Sequence, residues 1–449
     1  METLGISAIN PGRRLARPVF GLDGVLLFPP GQVLTKEHLE IMRQNGITSL
    51  VLLPESDDRG KGKSPIQSQP EPVDPDPDQY RNPDRQPPPA VYNSAADDPA
   101  RSPEEASLEE SIREATAERF HLLNSEEPHV RILFDMAVER QVKIAMNKGG
   151  KLPAGLQKPP EPPKVECPPR ISMNRLLETS HRMGTLPVIF HRLIEMINKT
   201  VVNSEELAKV IATDSAMTAK LLKLVNSPFV GLPYKIDSIS RAVIIVGTKQ
   251  LVMLAMGATL VSAFKGLTSS HVNMQAYWMH SLSCGAACRL LCVLCGVKNS
   301  EGYFVAGLLH DIARLLIYAQ LPNHSLYIIS EARRRNVPLR EMEHEALGYT
   351  HDELGAELLN AWNCPTDLIQ RVFKHHKRLN ENCSVEDAIL PTANTLTQAI
   401  GYGGSGERFL PALPDFAWEK TGLTIDNIHG YCEELDTSVL GLMEMFSYS

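Results

Sequence analysis

Residues 307–314 read Gly307-Leu308-Leu309-His310-Asp311-Ile312-Ala313-Arg314, an imidazole and a carboxylate side by side in an apolar run. Neighbours on one helix differ by about 100° in direction, so both side chains can face one edge of a bundle cavity. Imidazole and carboxylate are the donors that suit a first-row divalent metal. Working outward, three further segments carry histidines. His280 lies near the start of a helix expected from about Met274 to Cys295. His351 opens a helix that continues from Asp352 to Trp362. His375 and His376 end a helix that starts at Pro365. Separate helices that each send donors inward are how metal sites are built in helical bundles.

The sequence around these residues reads as helix after helix from Ile171 onward, with no convincing strand. Asn203 or Ser204 can cap a helix with Leu207, Val210 and Ile211 on its buried stripe. Asp214 caps the next, with Met217, Leu221, Leu222 and Val225 inward, and Asn226-Ser227-Pro228 ends it. Ser238 caps Ile239 to Val246, and Gly247 stops it. A loop and one more amphipathic helix occupy 404–449.

The order His280, His310-Asp311, His351, His375-His376 resembles the HD metal-dependent phosphohydrolase superfamily. Tyr349-Thr350-His351-Asp352-Glu353-Leu354-Gly355-Ala356-Glu357-Leu358-Leu359, with Trp362, Pro365 and the histidine pair, is similar to the HDOD family in particular. So are Leu224-Val225-Asn226-Ser227 and Ile239-Ser240-Arg241-Ala242-Val243. The resemblance covers about half of the chain, 171–403. It implies an all-α, multi-helix bundle. It also implies a ligand set of His280, His310, Asp311, His351, His375 and His376 for one or two divalent ions. Two departures bear on activity. Lys377-Arg378-Leu379-Asn380 stands where the related HD-GYP phosphodiesterases carry Gly-Tyr-Pro. Asn394, a neutral and poorer ligand, stands where the superfamily's last metal-binding Asp is expected. Losing a carboxylate weakens a divalent site and removes a group that could orient water. The first expectation is therefore a bacterial cytoplasmic signalling protein. Its HDOD domain would be a non-catalytic output or scaffold module that works through contacts with other signalling proteins and holds a metal or nucleotide in its cavity. The rival is a metal-dependent phosphohydrolase of the cyclic-dinucleotide phosphodiesterase kind, with Arg314 or Lys377 meeting phosphate.

Ahead of this domain the sequence changes character. Residues 12–54 read as a small β/α module: a short apolar strand at Val25–Phe28, the breaker Pro29-Pro30-Gly31, a helix from Lys36 to about Asn45 capped by Thr35, and a closing strand from Ser49 to Leu53. It resembles a module found ahead of some HD-type signalling domains. Residues 55–103 are rich in Pro, Asp, Ser and Gln with almost no large apolar residue, so they cannot bury enough surface to offset ordering entropy and are expected to be disordered. Residues 104–150 hold two helices, the second about Val130 to Met146, placed to dock on the chain or on a partner. A second Pro-rich linker spans 151–170.

The bulk properties exclude some classes. The 449 residues carry a net charge of −8, with 43% hydrophobic and 22% charged residues. No global basic field favours nucleic acid or an anionic membrane. Arg333-Arg334-Arg335, with Arg340, is the most basic patch and reads as a solvated face. No uninterrupted apolar stretch reaches the roughly 18–20 residues of a membrane span. Cys284, Cys288, Cys292 and Cys295 form one helical stripe, but they span roughly 16 Å, too far for one helix to wrap a single ion. They read as small buried residues at a close helix contact. The stripe continues back to His280, which supports an inward His280. Met253, Met256, Trp278 and Trp362 read as core.

Overall fold

The structure is a computed structural model. It describes short stretches between residues 2 and 52 and, with a few short gaps, residues 103–446. The chain divides into two compact units, Met1–Ser107 and Leu108–Ser449.

In the first unit, β1 (Glu2–Gly5) pairs antiparallel with β4 (Ser49–Leu52), in the register Glu2 to Leu52. β2 (Val19–Phe20) pairs antiparallel with β3 (Leu26–Phe28). Ile6, Ile9, Leu15, Leu34, Leu39, Met42, Leu50 and Leu52 form its core. Thr35 caps the helical segment as expected, its hydroxyl accepting from His38 N at 3.1 Å. The unit starts earlier than residue 12, because β1 completes the sheet. A four-residue strand with no flanking turn residue is recognisable only through its pairing. The turns at Leu22–Gly24 and Pro29–Gly31, the helix stop at Gly46, residues 55–102 and most of 151–170 lie outside the described residues.

Helices are the only regular elements among the described residues of the second unit. In chain order it contains α1 (Pro103–Phe120), α2 (Pro128–Asn147), α3 (Met173–Thr179), α4 (Val188–Ile197), α5 (Ser204–Ala212), α6 (Ser215–Val225) and α7 (Ile239–Val246). Next come α8 (Thr248–Phe264), α9 (Met274–Cys295), α10 (Ser300–Leu309), α11 (Ile312–Gln320) and α12 (Pro322–Arg335). The last are α13 (Leu339–Leu347), α14 (His351–Ala361), α15 (Thr366–Lys374), α16 (Val385–Ala399), α17 (Asp415–Lys420) and α18 (Ile428–Phe446). The caps follow local chemistry. Asn203 accepts from the N–H groups of Glu205 and Glu206, Asp214 from Met217, and Ser238 from Arg241. Each satisfies helix-start donors that have no partner within the helix.

At the centre α9 crosses α10. Their backbones touch: a Cβ on Gly307 would lie 2.7 Å from Cys284 O and from the Gly285 backbone, and one on Gly285 would lie 2.7 Å from Phe304 O. Only glycine allows that approach, and it sets His280 on α9 against His310 at the end of α10. Gly307→Ala should therefore push the helices apart, destabilising by about 1–3 kcal/mol as overpacking does and loosening any metal bound between them. Denaturant melts read beside metal content check this.

The helices of residues 104–150 pack on the main domain, with a small cluster of their own at Ile112, Val138 and Ala145. Phe120, Leu123, Val130, Leu133 and Ala137 join the main core. Arg119 Nη2 donates to Gln398 O at 2.9 Å, and Arg140 pairs with Asp436 at 2.8 Å. The C-terminal segment is likewise integral, with Leu435, Val439 and Leu442 in the same core. Amphipathic helices show an apolar face but not the surface that will cover it, so their docking had no sequence signal. By length and composition alone, Met274–Cys295 and the α10–α11 stretch Ser300–Gln320 could cross a membrane, yet 72% and 94% of their apolar windows are buried inside the protein.

Candidate metal centre

The six candidate ligands come together. They form two groups, His280 with His310 and Asp311, and His351 with His375 and His376, each with its donor atoms within 4.8 Å of one another. His310 and Asp311 do not share a helix. His310 closes α10, and Asp311, at φ −101° and ψ 13°, starts α11. This break puts the carboxylate between the groups. Its Oδ2 lies 3.3 Å from His310 Nε2 and 4.0 Å from His280 Nε2. Its Oδ1 lies 3.1 Å from His351 Nε2 and 4.0 Å from His375 Nε2. The Nε2 atoms of His280 and His310 are 3.3 Å apart, as are those of His351 and His375. The His376 ring lies 4.1 Å from that of His375 and 4.9 Å from that of His351.

The outer nitrogens fix which ring atoms face inward. His310 Nδ1 sits 2.7 Å from Gly307 O, and His375 Nδ1 2.6 Å from Val372 O. A carbonyl only accepts, so each Nδ1 carries the proton and each Nε2 presents a lone pair. His351 Nδ1 is 2.6 Å from Glu343 Oε2, which imposes the same tautomer. The neutral His351 and His375 rings therefore face each other lone pair to lone pair at 3.3 Å, an arrangement that needs a cation or a proton between them; His280, whose Nδ1 has no partner, can instead carry its proton on Nε2 and donate it to His310. With the His351 proton on Nδ1, Asp311 Oδ1 is buried 3.1 Å from His351 Nε2 and receives no hydrogen bond from it. Ligands about 2.0–2.2 Å from an ion stand roughly 3.0–3.5 Å from one another, and the short separations here fall in that range. The donor set therefore fits a divalent metal.

A buried charge network holds this carboxylate. Arg314 Nε donates to Glu343 Oε1 at 3.0 Å, and its Nη1 donates to Ser405 Oγ at 2.6 Å and to Asp311 Oδ2 at 3.4 Å. Its Nη2 lies 3.7 Å from Glu407. Arg314, expected to meet phosphate, is thus consumed by carboxylates and is 2% exposed. Lys377 is exposed and lies over the Phe373 ring. Asn394 is buried at the site, within interaction range of His280, and its Oδ1 accepts from Gln398 Nε2 at 2.7 Å.

Sequence reading missed Glu343, Ser405 and Glu407. Glu343 had a signal, because it sits on the buried stripe of α13 with Leu339, Met342, Ala346 and Leu347, and a carboxylate on an apolar stripe needs a buried partner. The Arg333–Arg335 patch is partly neutralised. Arg334 and Arg335 pair with Glu331, Arg335 also pairs with Glu345, and Arg340 holds Asp352. Of the cysteine stripe, Cys284, Cys288 and Cys292 are buried, and burial raises the thiols of Cys288 and Cys292. A thiol reagent should label exposed Cys167 quickly and leave those three untouched until the protein unfolds; mass mapping of the labelled sites reads the order.

The electrostatics give the metal-free centre a definite pH response. Burial, aided by His310, lowers His280 to about 3. Burial with His310 and His351 lowers His375 to about 3, and burial with His375 lowers His376 well below the usual range. Burial opposes charge on His310 and His351 too, but Asp311 overcomes it at His310, and Glu343 with Asp311 overcomes it at His351, so both are raised. The lowered histidines contribute stability above their unfolded value of about 6.5, lost as pH falls toward 3. The raised ones contribute stability below about 6.5, lost as pH rises through their folded values. Metal-free protein should therefore be most stable near pH 6.5. Bound metal should remove the alkaline loss by replacing those protons. Thermal melts across pH, with and without metal, test both limbs.

Comparison with known proteins agrees with this architecture. Residues 183–378 match the HDOD domain family. An uncharacterized protein of Treponema pallidum (strain Nichols) is 26% identical over 200 residues, which cover 43% of this chain and 38% of the relative, so the match spans well under half of that protein. The fold is also that of an HDOD domain protein of unknown function from Geobacter sulfurreducens, at TM-score 0.51 and 21% identity, covering 61% of this chain and 98% of the other. The chain carries an all-α HDOD domain.

Proposed function

We propose that this HDOD domain is a divalent-metal-binding module of a bacterial cytoplasmic signalling protein, and that it acts by contact with other signalling proteins rather than by turnover. The observation that carries the metal reading is Asp311, whose two oxygens face two histidine pairs in which His310, His351 and His375 turn their lone pairs inward. His280, His310 and Asp311 would hold one ion, and His351, His375 and His376, with Asp311, a second. A bound ion neutralises the carboxylate and ties α9, α10, α11, α14 and α15 to one point. The first group is sealed, with His280, His310 and Asp311 at most 1% exposed, as in closed structural sites. Neutral Asn394 adds no ligand charge. Both features favour a structural or sensory ion over a catalytic one.

A phosphohydrolase is the second reading, favoured by one observation. His376 is only half-buried, so the second group reaches the surface and could keep an open coordination position. The discriminating assay offers metal-loaded protein a cyclic dinucleotide and a simple phosphodiester. The proposal expects no hydrolysis above the metal-free control. Turnover that disappears in His376→Ala would establish the enzyme instead.

A further inference from the structure

Between α15 and α16, with Tyr303 of α10 on its wall, lies a cleft of about 260 Å³. Arg371, Lys374 and His375 line one side, and Asp387 and Pro391 the other. Arg371 and His375 are four residues apart, so they stand one turn apart on the same face of α15. His375 is also a member of the second histidine group. The cleft and the candidate metal centre therefore share a residue.

Arg371 differs from the other arginines near the centre. Arg314, Arg335 and Arg340 are each held by a carboxylate. Among the described residues, no carboxylate lies within ion-pair distance of Arg371. Its guanidinium lies over the Tyr303 ring instead, 3.9 Å from the centroid. A Cβ on Gly302 would come within 3.0 Å of Arg371 Nη1, so the absence of a side chain there makes room for the guanidinium. Stacking fixes its plane, and of its donors one is engaged by the Tyr303 hydroxyl beside it. Lys374 is taken by Asp387 at 3.2 Å, while Asp367 and Glu386 stand exposed at the rim.

We infer that this cleft is a phosphoryl-binding subsite. The Arg371 fork takes two oxygens of a phosphate group and seats it beside His375. The volume lies below the roughly 300–1,000 Å³ of typical small-molecule pockets. It therefore takes a phosphate and its immediate substituent, as in a phosphate monoester, and not an entire cyclic dinucleotide. This inference deepens the metal-module reading and rests on it for the neighbouring ion.

The test is a phosphorus-31 NMR titration of inorganic phosphate with the full-length protein, with metal content measured on the same samples. Wild type is compared with Arg371→Ala, Arg371→Lys and, as a control, Arg333→Ala. Binding should weaken about tenfold or more in Arg371→Ala, as loss of a charge-assisted hydrogen-bond pair does. It should weaken less in Arg371→Lys and remain unchanged in Arg333→Ala, with metal content constant throughout. Equal affinity in wild type and Arg371→Ala overturns the inference. So does loss of metal together with affinity, because Arg371 would then support His375 and not the ligand. Arg371-dependent binding to a wild-type protein that holds no metal removes the metal reading and leaves the subsite. A metal-replete wild type that binds no phosphate removes the subsite and leaves the metal reading.

Discussion

Asp311→Asn should lose its metal almost completely while keeping the helical fold. The substitution preserves shape and replaces one carboxylate oxygen with an amide that cannot coordinate in the same way. Four histidines approach the two Asp311 oxygens at 3.1–4.0 Å, so both ions would lose the ligand they share. Affinity should fall by more than about 100-fold, beyond the 10–100-fold that loss of an outer hydrogen-bond partner costs. Stability should also fall. Arg314 loses one of its buried carboxylates, and removing one member of a buried ion pair costs about 3–5 kcal/mol. Arg314 keeps Glu343 and Glu407, which places the expectation toward the low end. Elemental analysis and denaturant unfolding measure the two effects separately. A variant that retains wild-type metal content would show that Asp311 serves the Arg314 network alone.

Glu343→Gln should have the second largest effect, through a residue that touches no metal. One Glu343 oxygen accepts from His351 N at 2.9 Å and faces His351 Nδ1 at 2.6 Å, while the other takes Arg314 Nε at 3.0 Å. The carboxylate therefore sets the tautomer of a candidate ligand and the position of the arginine that holds Asp311. Metal affinity should drop about 10–100-fold. Burial opposes its charge, but His351 and Arg314 hold Glu343 down to about 2. A carboxylate lowered from about 4.5 contributes stability that is present above pH 4.5 and lost as pH falls toward 2, here worth about 3 kcal/mol. The variant should be less stable at neutral pH, and its acid unfolding should lack that loss between pH 4.5 and 2. An acid limb with unchanged slope would mean that Glu343 is not ionised in the folded protein.

Several features of the fold were legible because their causes are local. Asn203, Asp214 and Ser238 cap helices with bonds to N–H groups two or three residues away, and such contacts leave a mark in short sequence. The inward direction of His280 could be read from its place on the Cys284–Cys292 stripe, and the structure buries all of these residues. The break between His310 and Asp311 could not be read, because Leu308 to Leu316 is apolar enough to continue one helix through both. That break gives Asp311 its bridging position. Strand β1 and the docking of α1 and α2 depend on partners distant in sequence. Arg314 looked like a free cation, and nothing nearby in the sequence reveals that Ser405 and Glu407, about ninety residues later, enclose it.

The central claim is that the histidine–aspartate centre holds metal. Elemental analysis of purified full-length protein, reconstituted with divalent ions and dialysed, tests it most directly beside Asp311→Asn treated identically. The account predicts one or two ions per wild-type chain and none in the variant. A wild-type chain that emerges metal-free and indistinguishable from the variant would contradict it, and would mean that protons and hydrogen bonds alone hold these rings together.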